Sequence, residues 1–381
     1  MHIMGIELID RLDLGELVTF IPNRDLPIYS WYYFKEGYSR DFVHYMINVF
    51  QVYPGDIILD PFMGVGTTLL ACREMGIHSI GVEVNPFFYL VARAKLYKYD
   101  VDELRQWIDW VMGLKFRRPN LSKLSELTRR AFNRGTLEEI VFLRDRIMEV
   151  KDEGPRLFLL MGLINASSKV TYAVKDGSII RIVRRPTPPF RKFYRRILIR
   201  MLRDIEELKL EDTMILLYND DARRLSKIVR DRVDYIITSP PYLNKIEYTK
   251  VYEIEMDLSL KDRDVIPLRS YIGLMPRKRF NISIDIDISR YPLSAQAYLY
   301  DMWIVLNEFY KVLRDGGRMA IVVAEGAYPD VIVPVDEILM VMAGEIGFKP
   351  REIWVANKRI VTRDRTLKIG VARESILIID K

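Results

Sequence analysis

At 381 residues, close to half of them apolar, with 58 Lys/Arg against 52 Asp/Glu and a net charge of +6, the chain exceeds one minimal domain and can bury a large core. One cysteine (Cys72) and three histidines (His2, His44, His78) exclude an internal disulfide and a cysteine-built zinc site, so no metal is expected. No apolar run reaches the roughly 18–20 residues of a membrane span, and the acidic start lacks a signal-peptide pattern, which predicts a cytoplasmic protein with no membrane partner.

The positive balance favours a polyanionic partner. Glutamine occurs only as Gln51, Gln106 and Gln296, whereas Lys, Arg, Glu and Ile abound, a bias typical of proteins that work at high temperature. Pro22 and Pro27 make the first thirty residues extended or irregular. An aromatic stretch from Trp31 to Tyr38 follows, most of it suited to core packing. Next comes a predicted helix to about Phe50: Ser39 suits its N-cap, and Phe42, Val43, Met46, Ile47 and Phe50 form one stripe.

From Gly55 to Pro86 the pattern is strand, glycine-rich turn, helix, strand. Ile57, Ile58 and Leu59 are the apolar run of a strand buried on both faces, the turn is Asp60-Pro61-Phe62-Met63-Gly64-Val65-Gly66, and a helix starts near Thr67. The second strand ends at Glu83, close to the spacing of about 20 residues at which an acid takes a ribose hydroxyl pair. The opening Asp-Pro-Phe departs from the dinucleotide fingerprint and points to a nucleoside ligand without a pyrophosphate.

The phrase DPFMGVGTT closely resembles the S-adenosylmethionine motif of the nucleic-acid amino-methyltransferases, which methylate N4 of cytosine or N6 of adenine. The resemblance implies a Rossmann-like, doubly wound α/β fold and S-adenosylmethionine as cofactor. It makes Asp60, Phe62, Gly64, Gly66, Thr67 and Thr68 cofactor residues and Glu83 the ribose acceptor. It also implies that residues 33–38 fold over the methionine part of the cofactor, and that Phe87 or Phe88 contacts the adenine or is simply buried.

Two sequential strands of such a fold are joined by a single helix, so residues 100–212 are expected to be a mainly helical insert between a cofactor half (1–99) and a catalytic half (213–381). Helical periodicity is clear over Leu104–Leu114 and Leu137–Val150. Arg181 to Arg203 holds nine basic residues, among them Arg184, Arg185, Arg191, Lys192, Arg195 and Arg196, with no acid and with Phe190, Phe193 and Tyr194 interleaved. Such a run suits a nucleic-acid backbone, because its charges release counterions and its rings can stack on bases. A solvated helix face is the plain alternative.

The sheet resumes at Met214–Tyr218, followed by Asp220 and Asp221. In the resembled family an acid here takes the adenine amine, and Asp221 fits the usual Asp-Ala phrase; the competing role is a helix N-cap. Asp234–Ile237 reads as the next strand and runs into Thr238-Ser239-Pro240-Pro241-Tyr242. A Pro-Pro pair cannot donate N–H groups, so carbonyls and the Ser239 hydroxyl are left as acceptors for an amine. The loop matches the catalytic loop of the resembled family, with Ser239, Pro240, Pro241 and Tyr242 as catalytic residues and Tyr242 stacking on the base. Serine in first place goes mainly with cytosine N4 in that family, Asp or Asn mainly with adenine N6. Cytosine C5 chemistry needs a cysteine nucleophile near this loop, and Cys72 lies elsewhere.

Leu243–Asp301 is a second excursion, with Arg277-Lys278-Arg279 and tyrosines 248, 252, 271 and 291. The remaining elements predicted are a helix over Tyr298–Leu313, a strand over Arg318–Ala324, a helix near Pro334–Ile346, and a final antiparallel pair, Arg351–Ala356 with Ser375–Ile379. The expected activity is methyl transfer to cytosine N4, with structured RNA and DNA evenly balanced as substrate. A non-catalytic nucleic-acid binder on the same scaffold, or an adenine-N6 enzyme, is the alternative.

Overall fold

The computed structural model describes residues 6–176, 179–230, 232–243, 251–260, 272, 285–363 and 367–381. Its strands are β1 (Glu7–Asp10), β2 (Ile57–Asp60), β3 (His78–Val82), β4 (Ala173–Asp176), β5 (Ile179–Ile182), β6 (Ile215–Tyr218), β7 (Val233–Thr238), β8 (Leu313–Ala324), β9 (Gly326–Ala327), β10 (Ile332–Val333), β11 (Lys349–Arg363) and β12 (Leu367–Asp380). The helices are α1 (Arg40–Phe50), α2 (Thr67–Glu74), α3 (Pro86–Leu96), α4 (Val101–Gly113), α5 (Glu126–Arg130), α6 (Arg134–Ile147), α7 (Glu153–Val170), α8 (Phe190–Glu207), α9 (Leu225–Ile228), α10 (Glu253–Ser259), α11 (Leu293–Val312) and α12 (Val335–Ile346).

One sheet organises them, in the order β1-β11-β12-β8-β7-β2-β3-β6. Strands β6, β3, β2, β7 and β8 are mutually parallel, and β12 is antiparallel to both β8 and β11. This is a doubly wound, Rossmann-like α/β fold with an extra edge strand, as the resemblance implies. Alternation along the strands fills both faces, as a sheet covered on two sides requires. Ile58, Ala320, Val322, Ile376 and Ile378 pack with α1 and the Ala71–Cys72 stretch of α2. Their neighbours Leu59, Met319, Ile321, Val323, Leu377 and Ile379 pack with α9, α11 and α12.

Helix α1 begins where its sequence predicts, with the Ser39 hydroxyl accepting from the Phe42 N–H at 3.1 Å. Residues 100–212 form helices α4 to α8 and the β4–β5 hairpin. They do not bury a core of their own: Leu104, Ile140, Phe158, Leu160 and Tyr194 belong to the same apolar cluster as Trp31, Leu69, Phe87 and Val91. The insert is thus a helical layer against α2, α3 and the N-terminal segment, at the β3–β6 end of the sheet. At the other end, β11 and β12 are far longer than their apolar sequence cores, reaching Arg363 and Leu367. Helix α11 is also longer than expected at its start, opening at Leu293.

Candidate active site

The carboxyl ends of β2, β3, β6 and β7 open onto one cavity of about 760 Å³, the place where open α/β sheets bind ligands and a size suited to a nucleoside. Phe62, Gly64, Glu83, Asp220 and Asp221 line it, and so do Ser239, Pro240, Pro241 and Tyr242. The stretch from Ser30 to Gly37 forms another wall. Ile28, just before that stretch, holds φ at 63°, a costly conformation for a β-branched residue, so tertiary contacts fix this segment's path. Trp31 supplies two of them: its Nε1 donates to Asp204 at 2.8 Å, and its carbonyl accepts from Asn165 Nδ2 at 2.8 Å. Phe34 lies over the glycine turn. Gly64 has φ +49, and a Cβ there would stand 3.0 Å from the Phe34 ring, so both conformation and space call for glycine.

Glu83 stands half-buried on the cavity wall. Its two carboxylate oxygens accept from the backbone N–H groups of Gly64 at 3.0 Å and Asn85 at 2.7 Å. Desolvation nevertheless pushes its pKa up to about 7. Beside it, Asn219 Nδ2 donates to the Glu83 carbonyl at 2.7 Å and ties the end of β6 to that of β3. Asn85, 1% exposed, caps α3 through Oδ1, while its buried Nδ2 has no partner among the described residues. A carboxylate with spare lone pairs, an unmatched amide donor and a glycine-faced turn suit an adenosine moiety with its ribose at Glu83. Phe88 reaches the cavity; Phe87 is fully buried.

The structure moves four expected cofactor residues away from the cavity wall. Asp60 is 2% exposed and closed in. Its carboxylate accepts from the Thr68 hydroxyl at 2.6 Å, the Thr238 hydroxyl at 2.7 Å, the Phe62 N–H at 3.1 Å and the Tyr38 hydroxyl at 3.1 Å. Asp60 therefore ties β2, α2, β7 and the N-terminal segment together, and burial raises its pKa. Thr68 is part of that web, and Thr67 opens α2 beneath the turn. Gly66 has φ +82 and faces α3, where a Cβ would come within 3.1 Å of the Ala92 methyl; it serves helix packing. Asp221, the favoured adenine acceptor of the pair, caps the Arg223 N–H at 2.9 Å and its carboxylate is engaged by the Arg223 guanidinium, which also reaches Asp301 at 3.1 Å. Asp220 is less encumbered: its Oδ1 accepts the Asp221 N–H at 2.8 Å and lies 3.4 Å from Arg224.

Ser239 follows β7 and is half-buried at the cavity wall, between buried Thr238 and Pro240. Tyr242 donates its hydroxyl to Glu374 at 2.8 Å, and Asn357 Nδ2 holds the other oxygen of Glu374 at 2.9 Å. Glu374 and Arg359, on the β11–β12 hairpin, also line the cavity. Sequence reasoning missed both, because they lie outside the apolar cores of their strands. It also missed Lys175, whose Nζ sits 4.0 Å from the ring centre of Tyr252 and 2.5 Å from Glu255. Tyr252, itself on the cavity wall, donates to Glu36 at 2.6 Å. Tyr291 is buried elsewhere, against α11, while Tyr248, Tyr271, Arg277, Lys278 and Arg279 fall outside the described residues.

The basic run divides. Lys192, Arg195 and Arg196 stand on the exposed face of α8, whose other face buries Phe190, Tyr194, Leu198 and Met201. Arg184 and Arg185 are exposed in the segment before α8, and Arg185 donates to the carbonyl of Thr171, a cavity residue, at 3.0 Å. Arg191 is turned inward, against Glu139 at 2.9 Å and the Leu114 carbonyl at 2.7 Å; it braces α8 against α4 and α6. Among the described residues there is no cluster of three metal-ligating side chains, and no helix is long and apolar enough to cross a membrane.

Residues 32–94 match the family described as DNA methylase. Over most of its length the chain is similar to two type II methyltransferases. M.BsoBI of Geobacillus stearothermophilus is 23% identical, over 90% of this chain and 83% of that protein. M.AvaI of Nostoc sp. is 25% identical, over 91% and 85%. These matches support the resemblance to the N4-cytosine/N6-adenine methyltransferases. S-adenosylmethionine is the cofactor of this family and of this methyltransferase. TrmN from Thermus thermophilus, 11% identical over 90% of this chain and 48% of that one, has a TM-score of 0.33, too slight a likeness to carry weight.

Proposed function

We propose that this methyltransferase modifies the exocyclic N4 amine of cytosine in DNA. The observation that carries the reading is the meeting of Glu83, Asp220 and the Ser239–Tyr242 loop at one cavity. Cytosine is favoured by serine at the head of the loop, and DNA by the family description and the type II relatives. Bound S-adenosylmethionine supplies an electrophilic methyl group whose sulfur departs as a thioether. Glu83 takes the ribose hydroxyls, and Asp220 or Asp221 the adenine amine. The Ser239 hydroxyl and the Pro240 carbonyl each accept one amine hydrogen, which aims the nitrogen lone pair at the methyl group, and the surplus proton leaves the nitrogen by way of Ser239 Oγ for water. Tyr242 stacks on the base, held at its hydroxyl by Glu374. Positioning accounts for the rate, without a covalent intermediate on the enzyme. A target within a duplex must be turned out of the stack first.

The test is transfer of labelled methyl groups to genomic DNA and to total RNA, with product nucleosides identified by mass spectrometry. N4-methylcytosine in DNA, reduced at least about 100-fold in Ser239→Ala while cofactor binding persists, is the expected result, the scale of losing one acceptor used in the transition state. N6-methyladenine would replace cytosine in the proposal, and label confined to RNA would replace DNA. Cofactor binding with no label in either would favour a non-catalytic binder.

A further inference from the structure

After Pro241 the loop that carries Ser239 sends neighbouring side chains to opposite faces of the sheet. Leu243 is buried with α11 and α12, seated against Gly326 just beyond β8, where any larger residue would collide with it. Tyr242 packs with the apolar layer of the other face, which includes Trp354 and Ala356. Its hydroxyl donates to Glu374 on β12 at 2.8 Å, and the second oxygen of Glu374 accepts from Asn357 Nδ2 on β11 at 2.9 Å. The same Nδ2 donates to the Gly15 carbonyl at 3.1 Å, so the N-terminal segment steadies Asn357 in turn.

The backbone around Glu374 is irregular in a way that serves this chain of contacts. Val355 stands opposite Ser375 but Asn357 stands opposite Glu374, so Ala356 is an extra residue on β11, a β-bulge. Bulges re-aim side chains, and this one sets Asn357 directly across from Glu374. Glu374 is also the last residue of β12 to pair with β8; from there toward Leu367 the hairpin has no further strand beside it among the described residues. Its neighbours Arg373 and Ser375 turn to the opposite face, as alternation requires, and both bind Asp336 at the start of α12, at 3.0 and 2.8 Å. Arg373 also meets Glu325 at 2.9 Å and Glu337 at 2.7 Å, while its N–H donates to the Glu325 carboxylate at 2.8 Å and its carbonyl accepts the Glu325 N–H at 3.0 Å. The strand is thus pinned on one face and the Glu374 carboxylate is held on the other, at the cavity wall beside Tyr242.

We infer that Glu374, held by Asn357 across the bulge, is a positioning residue for methyl transfer, which fixes the Tyr242 ring against the target base. This rests on the proposed reaction, in which that ring stacks on the base. Packing against the sheet sets the plane of the ring, and an anchor at the hydroxyl fixes the direction of its long axis. The base is then held where its amine meets Ser239, the Pro240 carbonyl and the methyl group together. Misplacement by about 1 Å at such a centre can cost on the order of 100-fold in rate.

The experiment is a double-mutant cycle read in the single-turnover rate of labelled methyl transfer, on whichever of genomic DNA and total RNA the wild type labels. Tyr242→Phe and Glu374→Ala should each slow the step about tenfold or more, the scale of a hydrogen bond to a carboxylate. Because both remove the same contact, the double variant should be no slower than the slower single one. Glu374→Gln, which keeps an acceptor at the same reach, should recover most of the rate lost in Glu374→Ala. Cofactor affinity by calorimetry should match wild type throughout, and thermal melting checks the fold. If Glu374→Ala melts early, Glu374→Met, which keeps the reach without the acceptor, takes its place in the cycle. Losses that multiply in the double variant, or full rate in a folded Glu374→Ala, would overturn the positioning role and leave the proposed reaction standing. A wild type that labels neither DNA nor RNA would overturn the proposed reaction, and the role with it.

Discussion

The ends of β2 and β3 lie side by side in the sheet, β2 finishing on Asp60 and β3 followed at once by Glu83, yet the two carboxylates do opposite things. Asp60 is met by hydroxyls from Thr68, Thr238 and Tyr38, one from each of three different segments. Its acceptor sites are filled from inside, and it closes the structure. Among the described residues Glu83 is met by backbone N–H groups and no side chain, and each of its oxygens keeps acceptor capacity at the cavity wall. What separates a structural acid from a ligand-binding one here is the source of its donors. Side-chain donors can be recruited from across a fold to satisfy a buried group completely, whereas a turn's amides hold a carboxylate in place and leave it open.

The largest effect that tests this contrast is Asp60→Ala. Three buried hydroxyls would lose the carboxylate that joins them, although Tyr38 keeps the Ile237 carbonyl and Thr68, so unfolding in urea should show a loss of about 3–5 kcal/mol, with cofactor binding failing only as the fold fails. A variant of full stability that merely binds cofactor weakly would return Asp60 to the cofactor site. Glu83→Gln should do the reverse. Cofactor affinity measured by calorimetry should fall about 10–100-fold, the scale of a charge-assisted hydrogen bond, while the melting temperature at pH 8 holds or rises because a desolvated charge has been removed.

The same contrast has a pH signature. The Glu83 pKa lies near 7 in the free fold, above its ordinary value. A raised acid is a cost to the folded state that is absent below the unfolded pKa, near 4.5, and complete above about 7, so its share of stability falls as pH rises through that window. Ribose hydroxyls need an acceptor, so cofactor binding favours the ionised form. Affinity should therefore rise up to about tenfold per unit of pH as pH climbs toward 7 and level off above it. Glu83→Gln should flatten that rise, and a slope that survives the substitution would assign it to another group.

Much of this architecture is legible in the sequence alone. The runs Ile57–Leu59 and Asp234–Ile237 mark central strands because strands buried on both faces have no polar alternation to hide them. Ser39 announces its helix by capping it. The cavity residues Glu83 and Ser239 are marked by their place at strand ends. What is not legible depends on long-range partners. Nothing local distinguishes Asp60 from a ligand-facing acid, since Thr238 is 178 residues away. Arg191 looks like its basic neighbours, and it is Glu139 and the Met112 and Leu114 carbonyls at the end of α4, some 50–80 residues away, that turn it inward. The distal half of β11–β12 is rich in charge because it leaves the sheet, so the apolar signal that marks a strand stops at Ala356.

The smallest effect separates Asp220 from Asp221. Sequence phrasing favours Asp221, but its carboxylate is committed to Arg223, which is shared with Asp301, a side chain 1% exposed. Removing Asp221 unbalances a buried charge pair, whereas removing Asp220 takes away a half-exposed acceptor at the cavity and one bond to the Asp221 N–H. Asp220→Ala should then lower cofactor affinity by about 5–10-fold with little change in melting, the scale of a single hydrogen bond. Asp221→Ala should act mainly on stability, by about 1–2 kcal/mol, because Arg223 keeps Asp301. If calorimetry finds the larger loss of affinity in Asp221→Ala, Arg223 must release it when the cofactor binds, and the end of β6 would then rearrange on binding where the end of β3 stays as it is.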